Sequence, residues 1–240
     1  MPGPLGPGVA GPCPKSMSCP QCIGIEELFN KKLAAKELKR FQQKGARPTT
    51  HIMVEKIVAE GVEGLTLLDI GGGVGAVQVE LLSAGARSAV DIDASRAYLA
   101  AAEEEAARRG FNARVTYRHG NFVDLAGSLE DADIVTLDRV VCCYTDARAL
   151  VGLSARRARK ILALVYPRDS RLTRFLNRCL NLLRKAQGTE FRTFVHPRPL
   201  LEASARAGGL ESRGRYPRGF WEVALFTRDG HSSGRGRARA

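Results

Sequence analysis

The sequence predicts an α/β fold: seven strands in a mostly parallel sheet, with helices on both faces and one antiparallel strand from a C-terminal hairpin. Three observations predict it. From Leu65 onward, apolar runs of strand length alternate with stretches of helical periodicity, which is how a parallel sheet covered on both sides is written in sequence. The first run, in "TLLDIGGGVGAVQVELL", passes through an acid into a glycine-rich bend that opens a helical stretch. Near the C-terminus, "LESRGRYPRGFWEVALFTR" reads as two strands around Pro217–Gly219, the form of a hairpin.

Taken in order, residues 1–24 are rich in Pro, Gly and Cys and are expected to be flexible; they lack the apolar centre and cleavage site of a signal peptide. From Ile25 to about Lys44, Ile25, Leu28, Phe29, Leu33 and Leu38 stand near helical spacing with lysines between them, predicting one amphipathic helix. Gly45–Pro48 breaks it. Thr49 or Thr50 is placed to cap a second helix through Ile52, Val54, Ile57 and Val58. The strands are then Leu65–Ile70, Ala89–Asp93, Arg114–Tyr117, Asp133–Asp138 and Ile161–Tyr166. Between and after them, helices are expected over 75–84, 95–109, 147–158, 170–187 and 199–207; Ser95 caps the second of these and Gly110 ends it. The domain spans 61–227, and "DGHSSGRGRARA" belongs to a low-complexity basic tail over 228–240, expected to be disordered.

The chain has 240 residues, 44% of them hydrophobic, enough for one large domain with a sizeable core. Its formal net charge of +12 is unevenly spread: residues 51–146 carry −8, whereas 147–190 carry +9. The glycine bend therefore lies in the acidic part, a poor match for a phosphate-rich ligand. No stretch approaches the roughly 18 apolar residues of a membrane span. Six cysteines in no spaced-pair pattern point to a reducing cytoplasm and away from a disulfide framework. Cys13, Cys19 and Cys22 fall short of a four-ligand zinc site, and no metal is expected.

The bend fits two loops. Gly71-x-Gly73-x-x-Ala76 matches a dinucleotide fingerprint, and Gly71-x-Gly73-x-Gly75 a tighter turn. Asp69, two residues before Gly71 at the end of a strand, suits a cationic group. The pattern Asp69-x-Gly71-x-Gly73-x-Gly75 resembles the first motif of the Rossmann-like, class I S-adenosylmethionine-dependent methyltransferases. The resemblance spans roughly residues 65–227. It implies that Asp69 serves the cofactor's amino group, directly or through water, and that the glycines let the backbone approach. It also implies that Asp93 takes the ribose hydroxyls, with Asp91 as the alternative, and that Asn121 and Phe122 of "HGNFVD" sit at the adenine.

On the acceptor side, "ADIVTLDRVVCCYTD" offers Asp138, Arg139, Cys142, Cys143, Tyr144 and Asp146. Paired cysteines after a strand are more often small buried hydrophobes. The order of "DRVVCCYTD", "LALVYPRD", a basic amphipathic helix and "FRTFVHPRPLLEASARAGGL" resembles a bacterial subgroup labelled magnesium-protoporphyrin O-methyltransferase-like. If transfer needs a general base, His196, on a loop after the strand-like "FRTFV", is the first candidate, followed by Tyr144 and Asp146. The N-terminal helices, residues 25–60, are implied to be a lid bearing acceptor contacts.

The expected function is methyl transfer from S-adenosylmethionine to a small molecule, one with a carboxylate being suited to the arginines of 170–186. Those arginines equally suit an anionic surface. The alternative is an RNA- or protein-directed methyltransferase using the basic second half; no stable nucleic-acid complex is expected, since no base-flipping motif or RNA-binding appendage is present. A nicotinamide-dependent oxidoreductase and a non-catalytic cofactor-binding module complete the set.

Overall fold

The computed structural model describes residues 20–228. In chain order these form α1 (Pro20–Leu28), α2 (Lys31–Lys44), α3 (Pro48–Ala59), β1 (Thr66–Ile70), α4 (Ala76–Ser83), β2 (Ser88–Asp93), α5 (Arg96–Arg108), β3 (Val115–His119) and α6 (Phe122–Leu125). They continue with β4 (Ala132–Asp138), α7 (Ala147–Arg157), β5 (Ala158–Pro167), α8 (Arg171–Ala186), α9 (Arg198–Ala207), β6 (Glu211–Arg218) and β7 (Trp221–Thr227).

All seven strands join one sheet in the order β3-β2-β1-β4-β5-β7-β6. The first five pair in parallel, and β7 runs antiparallel to both β5 and β6. This is the Rossmann-like sheet with an antiparallel hairpin strand that the apolar runs predict. The order reverses between β1 and β4, so the helices leaving the two strands diverge and a crevice opens at their carboxyl ends, where open α/β sheets bind ligands.

Two cores cover the sheet. On one face, Met53 and Ile57 of α3 and Leu81 of α4 pack on Leu67, Ile134, Ile161 and Val223. On the other, Phe122 of α6, Leu150 and Val151 of α7 and Leu201 of α9 pack on Leu68, Val135, Leu164 and Phe226. α2 lies outside the first layer, its Ala34, Leu38 and Phe41 against Val79 of α4 and Tyr98 of α5.

Three local expectations change. The single helix expected over 25–44 is two, because Asn30 caps α2 by accepting bonds from the Lys32 and Leu33 N–H groups at 3.1 and 3.2 Å. The break turns the Phe29 ring onto the edges of Tyr98 and Phe191, with centroids 5.5 and 5.6 Å away. Neither Thr49 nor Thr50 caps α3, which starts at Pro48 with its fixed φ at the first helical position; both threonines are buried. The "FRTFV" segment forms no strand and is instead held to α8 and to the Cys142 carbonyl through Thr193 and Phe194. Ser95 caps α5 as expected, accepting from the Tyr98 N–H.

Candidate active site at the carboxyl edge of the sheet

A cavity of about 500 Å³ opens where the ends of β1, β2 and β4 meet α1 and α2. The bend after β1 forms its floor. Gly71 donates its N–H to the Ile92 carbonyl at 2.6 Å and has φ of 65°, a region that L side chains avoid. A Cβ there would also lie 2.5 Å from Val140 Cγ2. Gly73, by contrast, has nothing nearer a Cβ position than Tyr98 at 3.7 Å, so its bare backbone faces open space in the cavity wall.

Asp69 does not reach that space. Its fully buried carboxylate accepts bonds from Thr136 Oγ1 at 2.7 Å and Gln78 Nε2 at 3.2 Å. Asp91, its register partner on β2, is equally buried and accepts from the Gly72 N–H at 3.3 Å, while its Oδ2 has no partner. Gly72 sits directly over the pair: a Cβ there would stand 2.6 Å from Asp91 Oδ1 and 2.8 Å from Asp69 Oδ2. Burial raises both carboxyls, Asp69 to about 7 and Asp91 well above its ordinary value, the neighbouring acid adding to the rise in Asp91. The two acids thus brace the loop from below.

Of the acids on β1 and β2, Asp93 is the one that lines the cavity, joined there by Glu37 and Asp138. Its Oδ2 accepts from the Gly73 N–H at 3.2 Å and its Oδ1 from the Ser95 N–H at 2.8 Å. Burial pushes it up to about 6, with those backbone donors pulling the other way. The bonds fix both oxygens at the lip of β2, each with a lone pair to spare for a ligand.

At the next strand end, Asn121 caps α6, its Oδ1 accepting from the Val123 N–H at 3.2 Å. Its amide donates to Asp124 Oδ2 at 3.0 Å and Tyr144 Oη at 3.2 Å. Asn121 and Phe122 both line the cavity. After β4, Asp138 accepts from Thr50 Oγ1 at 2.5 Å and from Arg139 Nε at 3.1 Å. Arg139 has φ of 62°, the one positive value outside glycine among the described residues. Strain of this kind persists only where surroundings enforce it; here the Arg139 N–H donates to the Val165 carbonyl.

The far wall comprises Cys142, Cys143, Tyr144, Thr193 and Arg184. The two thiols are 3.8 Å apart, and both approach the Arg139 carbonyl, at 3.3 and 3.7 Å. Their mutual bond and burial hold Cys143 well above the usual thiol range. Arg184 reaches in from α8, donating to Thr193 Oγ1 at 3.0 Å and lying over the Phe191 ring at 4.9 Å. Burial lowers its pKa, the mark of a guanidinium partly removed from water.

Two base candidates lie off the wall. His196 bonds through Nε2 to the Tyr144 carbonyl at 2.9 Å and stacks on Phe194, and burial lowers its pKa. Asp146 caps α7, accepting from the Ala149 N–H at 2.9 Å. Both flank the Tyr144 turn without lining the cavity. Arg184 escaped sequence reasoning, although a signal existed: Thr173, Asn177, Asn181 and Arg184 make a polar stripe at helical spacing inside an otherwise apolar and basic helix. Among the described residues no group of three or more metal-ligating side chains occurs. Cys13, Cys19 and the Cys22 side chain lie outside the described residues, as does the tail from 229 onward.

Residues 67–163 match the family model of a methyltransferase domain. The chain thus carries a methyltransferase domain, and its fold and glycine loop suit S-adenosylmethionine as cofactor. Its fold is similar to that of magnesium protoporphyrin IX methyltransferase (ChlM) from Synechocystis PCC 6803, solved with bound SAH, at 19% identity and a TM-score of 0.66, covering 87% of this chain and 100% of that one. An O-methyltransferase family protein from Burkholderia thailandensis matches at 20% identity and a TM-score of 0.65, over 82% of this chain and 58% of that one. A putative sarcosine dimethylglycine methyltransferase from Galdieria sulphuraria matches at 13% and 0.61, over 75% and 85%. No curated protein matches the chain.

Proposed function

We propose that the enzyme methylates a small molecule bearing a carboxylate, on oxygen. The observation that carries this is Arg184, a partly buried guanidinium in the wall of the cavity opposite the glycine loop. A planar fork of donors is the group best matched to a carboxylate. A carboxylate is already ionised at pH 7 and needs no base, in keeping with a cavity that no histidine lines among the described residues. The O-methyltransferase family neighbour from Burkholderia thailandensis supports oxygen as the target by its name.

The residues present fit S-adenosylmethionine. Asp93 would hold the ribose hydroxyls with its two oriented oxygens. Asn121 and Phe122 would take the adenine through the Asn121 carbonyl, the Phe122 ring and its backbone N–H. The open backbone of Gly73, with Gly71 beside it, would lie along the methionine part, with Asp138 near its amino group and Asp69 acting from beneath the loop; Gly75 lies off the cavity, packed against Ala102 of α5, and shapes the bend. When bound, the cofactor supplies a methyl group on a positively charged sulfur. The chain's own part is to align the acceptor and exclude water. Leu28, Phe29 and Leu33 form an apolar roof, and Ser95 Oγ donates to the Phe29 carbonyl at 2.6 Å, tying that roof to the head of α5. α1 and α2 then act as the lid, whereas α3, the rest of the expected 25–60 lid, packs into the core of the sheet. Tyr144, whose hydroxyl accepts from Asn121, is the one base candidate on the wall for an acceptor that must lose a proton. The cysteine pattern supports a cytoplasmic location; among the described residues no helix is long and apolar enough to cross a membrane.

The test uses transfer of a labelled methyl group to a panel of carboxylic acids and their amide analogues. Acids are expected to accept label and amides not. Arg184→Gln should lower kcat/KM for the acids by about 10–100-fold, the loss of one charge-assisted bond pair, with unchanged affinity for S-adenosylhomocysteine. Arg184→Lys should keep part of the rate. Equal reaction of amides, or a Gln variant as active as the parent, would overturn the carboxylate assignment; label appearing in RNA or protein would favour the macromolecular alternative.

A further inference from the structure

We infer that α8 docks this enzyme on the surface of an anionic lipid bilayer. The helix is turned inside out relative to one packed on a core. Its polar stripe points inward. Asn177 and Asn181 both donate to the Thr193 carbonyl, at 2.8 and 2.7 Å, Asn181 Oδ1 accepts from the Thr193 N–H, and Arg184 binds the Thr193 hydroxyl. Its apolar stripe points to water: Leu172, Phe175, Leu182 and Leu183 are 59–66% exposed, and Leu176 and Leu180 are 43% and 42% exposed. A contiguous run of six large apolar side chains left in water marks an interaction surface.

The flank of that stripe identifies the partner. Arg171, Arg174, Arg178 and Lys185 share a third face, adjoining the apolar one, and are exposed; residues 171–186 contain no acid. Asp169 just before the helix pairs with Arg174 at 2.6 Å and is the only acid in an ion pair with this face among the described residues. An apolar stripe bordered by cations is what lies in the plane of a membrane interface, acyl chains meeting the leucines and headgroup phosphates the arginines. Phe220, 52% exposed at the β6–β7 turn, extends the surface, its carbonyl accepting from the Arg168 N–H beside the start of α8.

Two other occupants fit less well. A second copy would bring two acid-free cationic helices face to face, a like-charge arrangement that costs affinity. Residues 1–19 hold only Met1, Leu5, Val9 and Met17 as large apolar side chains, too few to cover six. Docking also has a geometric consequence: the helix that would lie on the bilayer carries Arg184 into the cavity wall, so the acceptor end of the site faces the membrane side.

Flotation of the full chain with phosphatidylcholine vesicles, with and without phosphatidylglycerol, tests this without reference to catalysis. Binding is expected only to the anionic vesicles and should weaken at high salt. The double variant Phe175→Ser, Leu183→Ser should lose at least tenfold in vesicle affinity while keeping its affinity for S-adenosylhomocysteine, which reports an intact fold. The double variant Arg174→Gln, Arg178→Gln should weaken binding to anionic vesicles severalfold. Absence of binding by the parent chain, equal binding to neutral vesicles, or undiminished binding by the serine variant would each overturn the inference. A parent dimer that the serine variant turns into a monomer, with neither floating, would assign the face to a second copy instead.

Discussion

Replacing Asp93 with Ala is expected to weaken binding of S-adenosylmethionine and S-adenosylhomocysteine by about 1.5–3 kcal/mol, roughly ten- to a hundredfold, in a calorimetric titration. The size follows from what the carboxylate does. It is the acid at the lip of β2 that lines the cavity, and its oxygens are already oriented by the Gly73 and Ser95 N–H groups at 3.2 and 2.8 Å. Alanine removes the acceptors offered to the ribose and also leaves two backbone donors without their partner, so the loop that should meet the cofactor loosens at the same time. Asp93→Asn, which keeps one oxygen and the side-chain shape, should recover part of the loss. Nicotinamide dinucleotides should bind neither parent nor variant. Unchanged affinity in the alanine variant would sink the ribose assignment.

The second large effect concerns stability. Asp69 and Asp91 are fully buried neighbours, with oxygens lying within 2.8 Å of one point above Gly72. Around them are Gln78 of α4 and Thr136 of β4, with the charges of Asp93 and Asp138 adding to the repulsion. Burial holds their protons on in the folded state, Asp69 to about 7, whereas an unfolded aspartate loses its proton near 4. The native chain therefore binds more protons than the unfolded chain between those values. Stability is fully present below about pH 4 as far as this pair is concerned and falls as pH rises toward 7. Asp91→Asn keeps an oxygen for the Gly72 N–H, replaces the unpartnered Oδ2 with a donor and removes the proton uptake that burying this carboxyl demands at high pH. At pH 8 it should raise Tm by about 2–4 °C for each kcal/mol recovered, with the gain shrinking toward pH 5. A variant less stable than the parent at pH 8 would show that the second carboxylate is required in its ionised form.

These two acids illustrate how far the chain could be read in one dimension. An acid at the tip of a strand beside glycines suits a cation, which points to Asp69 for the amino group, while Asp91 is only the alternative to Asp93 for the ribose hydroxyls. Alternation puts Asp91 and Asp93 on one face of β2, and nothing in spacing says that the bend will fold over the first and leave the second open. That depends on Gly72 resting on Asp91 and on Gln78 arriving from α4. The base candidates divide in the same way. Tyr144 lines the wall, whereas His196 and Asp146 hold the turn that carries it.

Most of what could be read along the chain has a local signal. The alternation of apolar runs and helical stretches set the strands and their order along the chain, the clustered glycines set the bend, Ser95 set the start of α5, and Pro217–Gly219 set the hairpin. Each depends on backbone conformation or on periodicity within about ten residues. Only the tertiary structure decided which polar groups are buried and which apolar ones are not. Arg184 enters the cavity because Thr193, in a segment without periodicity, draws the polar stripe of α8 inward. The same bonds leave the leucines of that helix in water. Periodicity tells which side chains share a face, and the partner that covers the face comes from elsewhere in the chain.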